Sequence, residues 1–220
     1  MKKLFIVANW KSNLTKAEAE DWLARFKIND LRLKNKKVII CPPFTLLSIL
    51  KSYILNHKSP ITLGAQDISP FGEGSYTGEV NGKQIKEFAD YVIIGHSERR
   101  NNFSENNEML ARKVEMAKFH NLRSIFCVQS EDTPVPEGVF LVAYEPVFAI
   151  GTGNPDTPKN ADKVADEIKK KNRAVKYVLY GGSVTSKNVK SFTQMQNIDG
   201  VLVGSASLDA SEFLEVIKNA

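Results

Sequence analysis

Short apolar runs alternate with longer amphipathic stretches from one end of the chain to the other. Runs such as Leu4-Phe5-Ile6-Val7-Ala8 and Val38-Ile39-Ile40 are rich in the branched and aromatic residues that favour strands. On that pattern eight strands are predicted, at 4–8, 37–41, 61–65, 91–95, 123–127, 139–143, 175–180 and 200–203. Amphipathic helices are predicted between them at 17–26, 44–55, 105–119, 160–171, 187–192 and 211–218. The first is introduced by Thr15 with Glu18 three residues on, the spacing of a capping box. A strand followed each time by a helix is the pattern of parallel pairing through crossover connections.

Eight parallel strands can close into a barrel or lie in an open doubly wound sheet. What stands at their C-terminal ends favours closure: Asn9 and Lys11, Gln66, His96 to Glu98, Glu145, Gly181 to Ser183, and Gly204 with Ser205. In an open sheet the ends of the first, fourth, sixth and eighth strands lie in a row; a barrel gathers them around one mouth. The expected fold is therefore an α/β architecture, a (β/α)8 barrel running as one domain over 1–220. One connection breaks the regularity. Between strands five and six lie only residues 128–138, and Pro134 and Pro136 forbid a proper helix there, so the fifth outer helix is expected to be shortened or missing. Neighbouring side chains would then cover the gap in the helix ring.

The 220 residues, 42% of them hydrophobic, suffice for a real core and exclude a small disulfide-stapled module. Thirty Lys and Arg against 25 Asp and Glu leave a formal charge of +5, spread in mixed runs, which suits contact with anions but does not point to nucleic acid. Cys41 and Cys127 each close an apolar run, as buried thiols do, and a disulfide is not expected. The apolar stretch near Met1 ends at Asn9-Trp10-Lys11, too short for a signal peptide, and no segment has the length of a membrane span. These features together suggest a cytoplasmic protein.

Glu145 stands between an apolar strand and Pro146, just ahead of the small-residue tract Ala149-Ile150-Gly151-Thr152-Gly153. A carboxylate anchored on a strand end under a mobile cover can be desolvated and act as a base; the plain alternative is a surface carboxylate beside a loop. His96 can polarise a carbonyl or shuttle a proton, or it can be a core histidine satisfied by the backbone. Lys11 can supply a fixed positive charge to an oxyanion, or be one more solvated lysine. The glycine turns Tyr180-Gly181-Gly182-Ser183-Val184 and Val203-Gly204-Ser205-Ala206-Ser207 follow the last two strands, where barrels often hold phosphate on backbone amides. Taken jointly, a base, an electrophile, a cation and an anion nest suit removal of a proton beside a carbonyl on a small phosphorylated compound. No metal-ligand spacing, nucleophile elbow or dinucleotide fingerprint competes, so neither a metal nor another cofactor is expected.

Five stretches together carry a resemblance: Ala8-Asn9-Trp10-Lys11-Ser12-Asn13, Ser69-Pro70-Phe71-Gly72-Glu73-Gly74-Ser75-Tyr76-Thr77-Gly78-Glu79, Gly95-His96-Ser97-Glu98-Arg99-Arg100, Ala143-Tyr144-Glu145-Pro146-Val147-Phe148-Ala149-Ile150-Gly151-Thr152-Gly153 and Tyr180-Gly181-Gly182-Ser183-Val184. In this order they closely resemble the signature segments of the triosephosphate isomerase family, whose fold is the TIM barrel. The resemblance implies cofactor-independent interconversion of dihydroxyacetone phosphate and D-glyceraldehyde 3-phosphate, a step of glycolysis and gluconeogenesis. It implies Glu145 as base and His96 as neutral electrophile, a pairing for which that enzyme is itself the usual illustration. Lys11 and Asn9 would stabilise the enediolate, Gly151, Ser183, Gly204 and Ser205 would hold the phosphate, and Glu98 and Ser97 would support the site from behind. Closure of 146–156 would exclude water. The loop 69–79 would dock beside a second copy's site with Thr77 at its tip, making a homodimer. It is long for a connection between strand and helix, and such loops are more often functional than idle.

Several positions depart from that family's usual pattern. Phe148 stands where Trp is common, Asn154-Pro155-Asp156 replaces a basic-Thr-Ala hinge, Asp67 stands for Asn, Ser205 for Gly, and Gln129-Ser130 for Gly-Glu. Two other readings stay open: a different phosphosugar barrel such as an epimerase, which would call for metal ligands or a second acid, and an inactive barrel kept for binding, which would lack the base or the electrophile.

Overall fold

Eight strands pair in parallel, each with the next in sequence and the last with the first, to close a barrel: β1 (Leu4–Asn9), β2 (Lys36–Cys41), β3 (Thr62–Ala65), β4 (Tyr91–Ile94), β5 (Arg123–Val128), β6 (Leu141–Tyr144), β7 (Tyr177–Tyr180) and β8 (Gly200–Val203). The computed structural model describes residues 2–28, 33, 35–149 and 154–220. β1 pairs with β2 from Leu4↔Lys36 to Asn9↔Cys41, and with β8 from Phe5↔Gly200 to Ala8↔Val203.

Alternation along the strands makes two cores. Phe5, Val7, Ile39, Tyr91, Ile93, Ile125, Leu141, Leu179 and Leu202 fill the barrel interior, while Ile6, Val38, Val92, Phe126, Val142 and Val178 face outward. The outward residues are covered by α1 (Lys16–Arg25), α2 (Leu47–Asn56), α3 (Gly82–Lys86), α4 (Ser97–Asn102), α5 (Asn107–Phe119), α6 (Pro158–Lys171), α7 (Val189–Thr193) and α8 (Ala210–Asn219). The capping box at α1 forms as the spacing predicts, with Thr15 N–H donating to Glu18 Oε2 at 2.7 Å and Glu18 N–H to Thr15 Oγ1 at 3.5 Å. α6 starts two residues earlier than predicted, because Thr157 caps it and Pro158 takes its first turn.

Residues 129–140 hold turns and no helix, as the two prolines require. Thr133 Oγ1 accepts the backbone N–H groups of Gln129 and Ser130, and Lys171 of α6 meets Asp132 at 2.5 Å. Val135 packs on the outer core, and Phe126, Val128 and Val142 stay fully buried in spite of the missing helix. Among the described residues no helix is long and apolar enough to cross a membrane.

Candidate functional site

At the C-terminal mouth of the barrel lies a cavity of about 500 Å³ whose lining includes Asn9, Lys11, His96, Glu145, Ser183, Gly204 and Ser205. These residues come from the ends of β1, β4, β6, β7 and β8, so barrel closure is what makes them neighbours.

Glu145 follows β6 and is 1% exposed. Its backbone N–H donates to Val128 O at 2.8 Å, continuing the ladder to β5. Its carboxylate has two partners: Oε1 lies 3.0 Å from His96 Nε2, and Oε2 accepts the Ser97 backbone N–H at 2.9 Å. Ser97 therefore contributes an amide to the site. The thiol of Cys127, inside the barrel, also contacts Glu145, and burial first, then the Glu145 charge, push that thiol well above its ordinary pKa.

His96 caps α4: its Nδ1 accepts the Glu98 N–H at 3.2 Å. A ring nitrogen that accepts from an amide carries no proton, so the proton sits on Nε2, aimed at Glu145, and the imidazole is neutral. The Glu98 carboxylate 3.7 Å from Nδ1 is accordingly a neighbour without a hydrogen bond to it.

Lys11 adopts a left-handed backbone (φ +52°), held where Asn9 Oδ1 accepts its N–H at 3.0 Å and Gln66 Nε2 donates to its carbonyl at 2.9 Å. Gln66 also donates to Cys41 O at 2.9 Å, tying the ends of β1, β2 and β3. The Lys11 ammonium pairs with Glu98, and its stem passes Gly204, where an added Cβ would lie 3.5 Å from Lys11 Cε. One cation thus sits between the β4 and β8 loops.

Past β7 and β8, Ser183 donates its hydroxyl to Ala149 O at 2.7 Å, and Ser205 opens a single 3-10 turn, Ser205–Ser207. Gly182 is glycine for a steric reason, since a Cβ there would fall 2.2 Å from the Tyr180 hydroxyl. That hydroxyl accepts the Asp156 N–H at 2.7 Å, and burial pushes its pKa up to about 12. Gly151 lies outside the described residues.

Thr77 is apart from this constellation, on the exposed stretch 71–79, where Phe71 and Tyr76 stack with centroids 4.4 Å apart. Among the described residues no group of three or more His, Cys, Asp or Glu is placed to hold a metal ion. Sequence reasoning did not single out Arg99, Glu105 and Lys113. Lys113 reads as one more helix lysine, yet it is 2% exposed and bonds Glu105 at 2.5 Å and Asp67 at 2.7 Å.

The family model described as triosephosphate isomerase matches residues 4–138 and 135–220. Its two pieces meet inside the helix-free β5–β6 connection. Curated triosephosphate isomerases are similar over the full length: 36% identical for the protein of Dictyoglomus turgidum, covering 100% of both chains, and 36% for that of Mesomycoplasma hyopneumoniae, again 100% of both. The protein of Aquifex aeolicus is 33% identical, with 99% of each chain covered. These alignments run over 246 to 255 positions against 220 residues in this chain.

Proposed function

The chain belongs to the triosephosphate isomerase family and carries out its interconversion of dihydroxyacetone phosphate and D-glyceraldehyde 3-phosphate, and from that premise we propose how its own residues perform the reaction. Glu145 is the base, His96 the neutral electrophile, and Lys11 with Asn9 the stabilisers of the enediolate. The observation that carries this reading is the buried pair of His96 Nε2 and Glu145 Oε1, 3.0 Å apart and facing the same cavity as Lys11.

Glu145 takes a proton from C1 of dihydroxyacetone phosphate. The C–H electron pair becomes the C1–C2 double bond, and the carbonyl pair moves onto O2. Negative charge then grows where the His96 Nε2–H and the Lys11 ammonium can meet it, and such preorganised donors act more strongly on the transition state than on the ground state. His96 carries a proton from O1 to O2, and Glu145 returns its proton to C2. Atoms and charge balance without a cofactor.

Before this can happen the carboxylate must release the His96 N–H and the Ser97 N–H, which frees Nε2–H for the substrate oxygen. Backbone amides at Ser183, Gly204 and Ser205, with Gly151, would hold the phosphate, and closure of 146–156, of which 150–153 lie outside the described residues, would keep water from the enediolate, which would otherwise expel phosphate. Glu98 holds Lys11 in place.

The same reading makes 1–220 one barrel domain of a cytoplasmic homodimer, in which loop 69–79 docks on the second copy with Thr77 at its tip. Support comes from exposed aromatics on one protruding loop, Phe71 at 40% and Tyr76 at 43%. A coupled assay with dihydroxyacetone phosphate, with and without chelator, tests the activity: aldehyde formation indifferent to chelator is expected, and loss of turnover on chelation would favour a metal-dependent barrel enzyme. Sedimentation of wild type against a chain lacking 71–78 tests the dimer, with a monomeric wild type as the contrary result.

A further inference from the structure

β4 and β5 pair through Ile94↔Phe126, and just past that pair the carbonyls of Gly95 and Cys127 are taken by a side chain. Arg100, on α4, donates Nε–H to Gly95 O at 2.8 Å and an Nη2 proton to Cys127 O at 3.1 Å. A third donor, on Nη1, reaches Asn107 Oδ1 at 3.1 Å, and the guanidinium stands over the Phe126 ring, 5.6 Å from its centroid. The ladder between the two strands is in effect extended one step by a planar group with donors on several edges.

The two carbonyls are not arbitrary. Gly95 directly precedes His96, and its left-handed backbone (φ +74°) sets the direction in which the histidine leaves the strand. A Cβ at 95 would also lie 3.0 Å from Arg100 Nη2, so the glycine makes room for the guanidinium that holds it. Cys127 precedes Val128, whose carbonyl accepts the Glu145 amide. One guanidinium therefore grips the chain beside the electrophile and the chain on which the base hangs.

We propose that Arg100 is a positioning residue for the proton-transfer pair: by bridging Gly95 O and Cys127 O it fixes the spacing between His96 and Glu145. The proposal rests on the reading of that pair as electrophile and base. Burial lowers the Arg100 pKa, and the neighbouring Cys127, Glu145 and Glu105 act in the opposite sense.

The test compares wild type with Arg100→Lys, which keeps the charge but puts a single ammonium where a fork spanned two carbonyls. Arg100→Lys is expected to lose about tenfold or more in kcat with KM within about twofold, since a small misplacement of reacting groups acts on the chemical step. In 15N spectra of the His96 imidazole, the single Nε2–H tautomer of wild type is expected to give way to a mixture. A brace that only stabilised the fold would lower the melting temperature and leave both readouts as in wild type. Folded Arg100→Lys with wild-type kcat and an unchanged His96 signal would overturn the proposal.

Should that variant not fold, Asn107→Ala, which removes only the third partner, is expected to move kcat and the 15N signal the same way to a smaller extent; no movement in either would overturn the proposal. A wild type inactive on triose phosphate would instead sink the isomerase reading, and the His96 signal would still report on Arg100.

Discussion

His96 Nε2 and Glu145 Oε1 lie 3.0 Å apart, a hydrogen bond between the two groups proposed to act on the substrate as electrophile and base. Each satisfies the other inside the protein, so an entering carbonyl exchanges one hydrogen bond for another instead of stranding a buried polar group. On the proposed mechanism, the arrangement gives the base a defined resting place and makes its release part of substrate binding.

Glu145→Gln removes the proton acceptor while keeping the side-chain length. Turnover is expected to fall by about a thousandfold, within the range of roughly 10² to 10⁴ that a positioned base contributes. Binding of an unreactive three-carbon phosphate, followed by calorimetry, is expected to survive. Equal losses in binding and turnover would count against Glu145 as the base.

Lys11 lines the cavity with His96 and Glu145 and its stem passes Gly204, which the proposed mechanism assigns to the phosphate. Lys11→Ala is therefore expected to weaken analogue binding and turnover together, with kcat/KM down at least about a hundredfold, as for loss of an oxyanion donor. It also leaves Glu98 without its ammonium partner. Steady-state kinetics at low ionic strength check this, and unchanged constants would take Lys11 out of the site.

Asp67 carries a pH signature. Burial raises its pKa above the ordinary carboxylate value, with Lys113 and Arg99 acting against the shift and Glu105 with it. A folded pKa above the unfolded one contributes stability that is complete below the unfolded value, near 3.8, and is lost as pH rises through the folded value. Melting temperature followed upward from pH 4 should thus carry a falling component in wild type that Asp67→Asn lacks. Identical profiles would contradict this. In the same cluster Lys113→Met is expected to cost about 3 to 5 kcal/mol, because it leaves buried Glu105 and half-buried Asp67 beside fewer cations. Urea denaturation measures it.

Cys41 and Cys127 are 0% exposed, and burial drives both thiols above their ordinary pKa. The thiolate is the reactive form, so neither should react with an alkylating reagent at pH 8 in the native protein, and both should react in denaturant. By the same linkage the thiols weaken the fold once pH passes their unfolded value, because only the unfolded chain then ionises them freely. Mass spectrometry after a timed pulse of reagent reads the labelling, and rapid native labelling of either cysteine would contradict the burial.

Much of this architecture could be read in the chain because its signals are local. Apolar runs mark the strands, Thr15 with Glu18 marks the start of α1, and Pro134 with Pro136 forbids a fifth outer helix. Two helices were not foreseen. α3 is short, although Asn81 and Gln84 spell the capping box that starts it. α4 runs Ser97-Glu98-Arg99-Arg100-Asn101-Asn102 with no apolar position to give a period, and its start depends on His96 accepting the Glu98 N–H. Within the site, Glu145, His96 and Lys11 were conspicuous as polar residues ending apolar strands. The Lys113 cluster and the Arg100 bridge were invisible because their partners lie in other elements, and a charged helix residue looks solvated until its neighbours in space are known.

The claim on which the rest depends is that Glu145 moves a proton from carbon to carbon within a site shared with His96 and Lys11. Its most direct test is to follow dihydroxyacetone phosphate in deuterium oxide with wild type and Glu145→Gln, reading the hydrogen at C2 of the aldehyde by NMR. The account predicts that wild type forms aldehyde whose C2 hydrogen is either the proton carried over from C1 or solvent deuterium exchanged onto the Glu145 carboxyl, and that Glu145→Gln forms neither aldehyde nor label above the uncatalysed rate. Aldehyde from Glu145→Gln at the wild-type rate, whichever hydrogen it carries at C2, would contradict it.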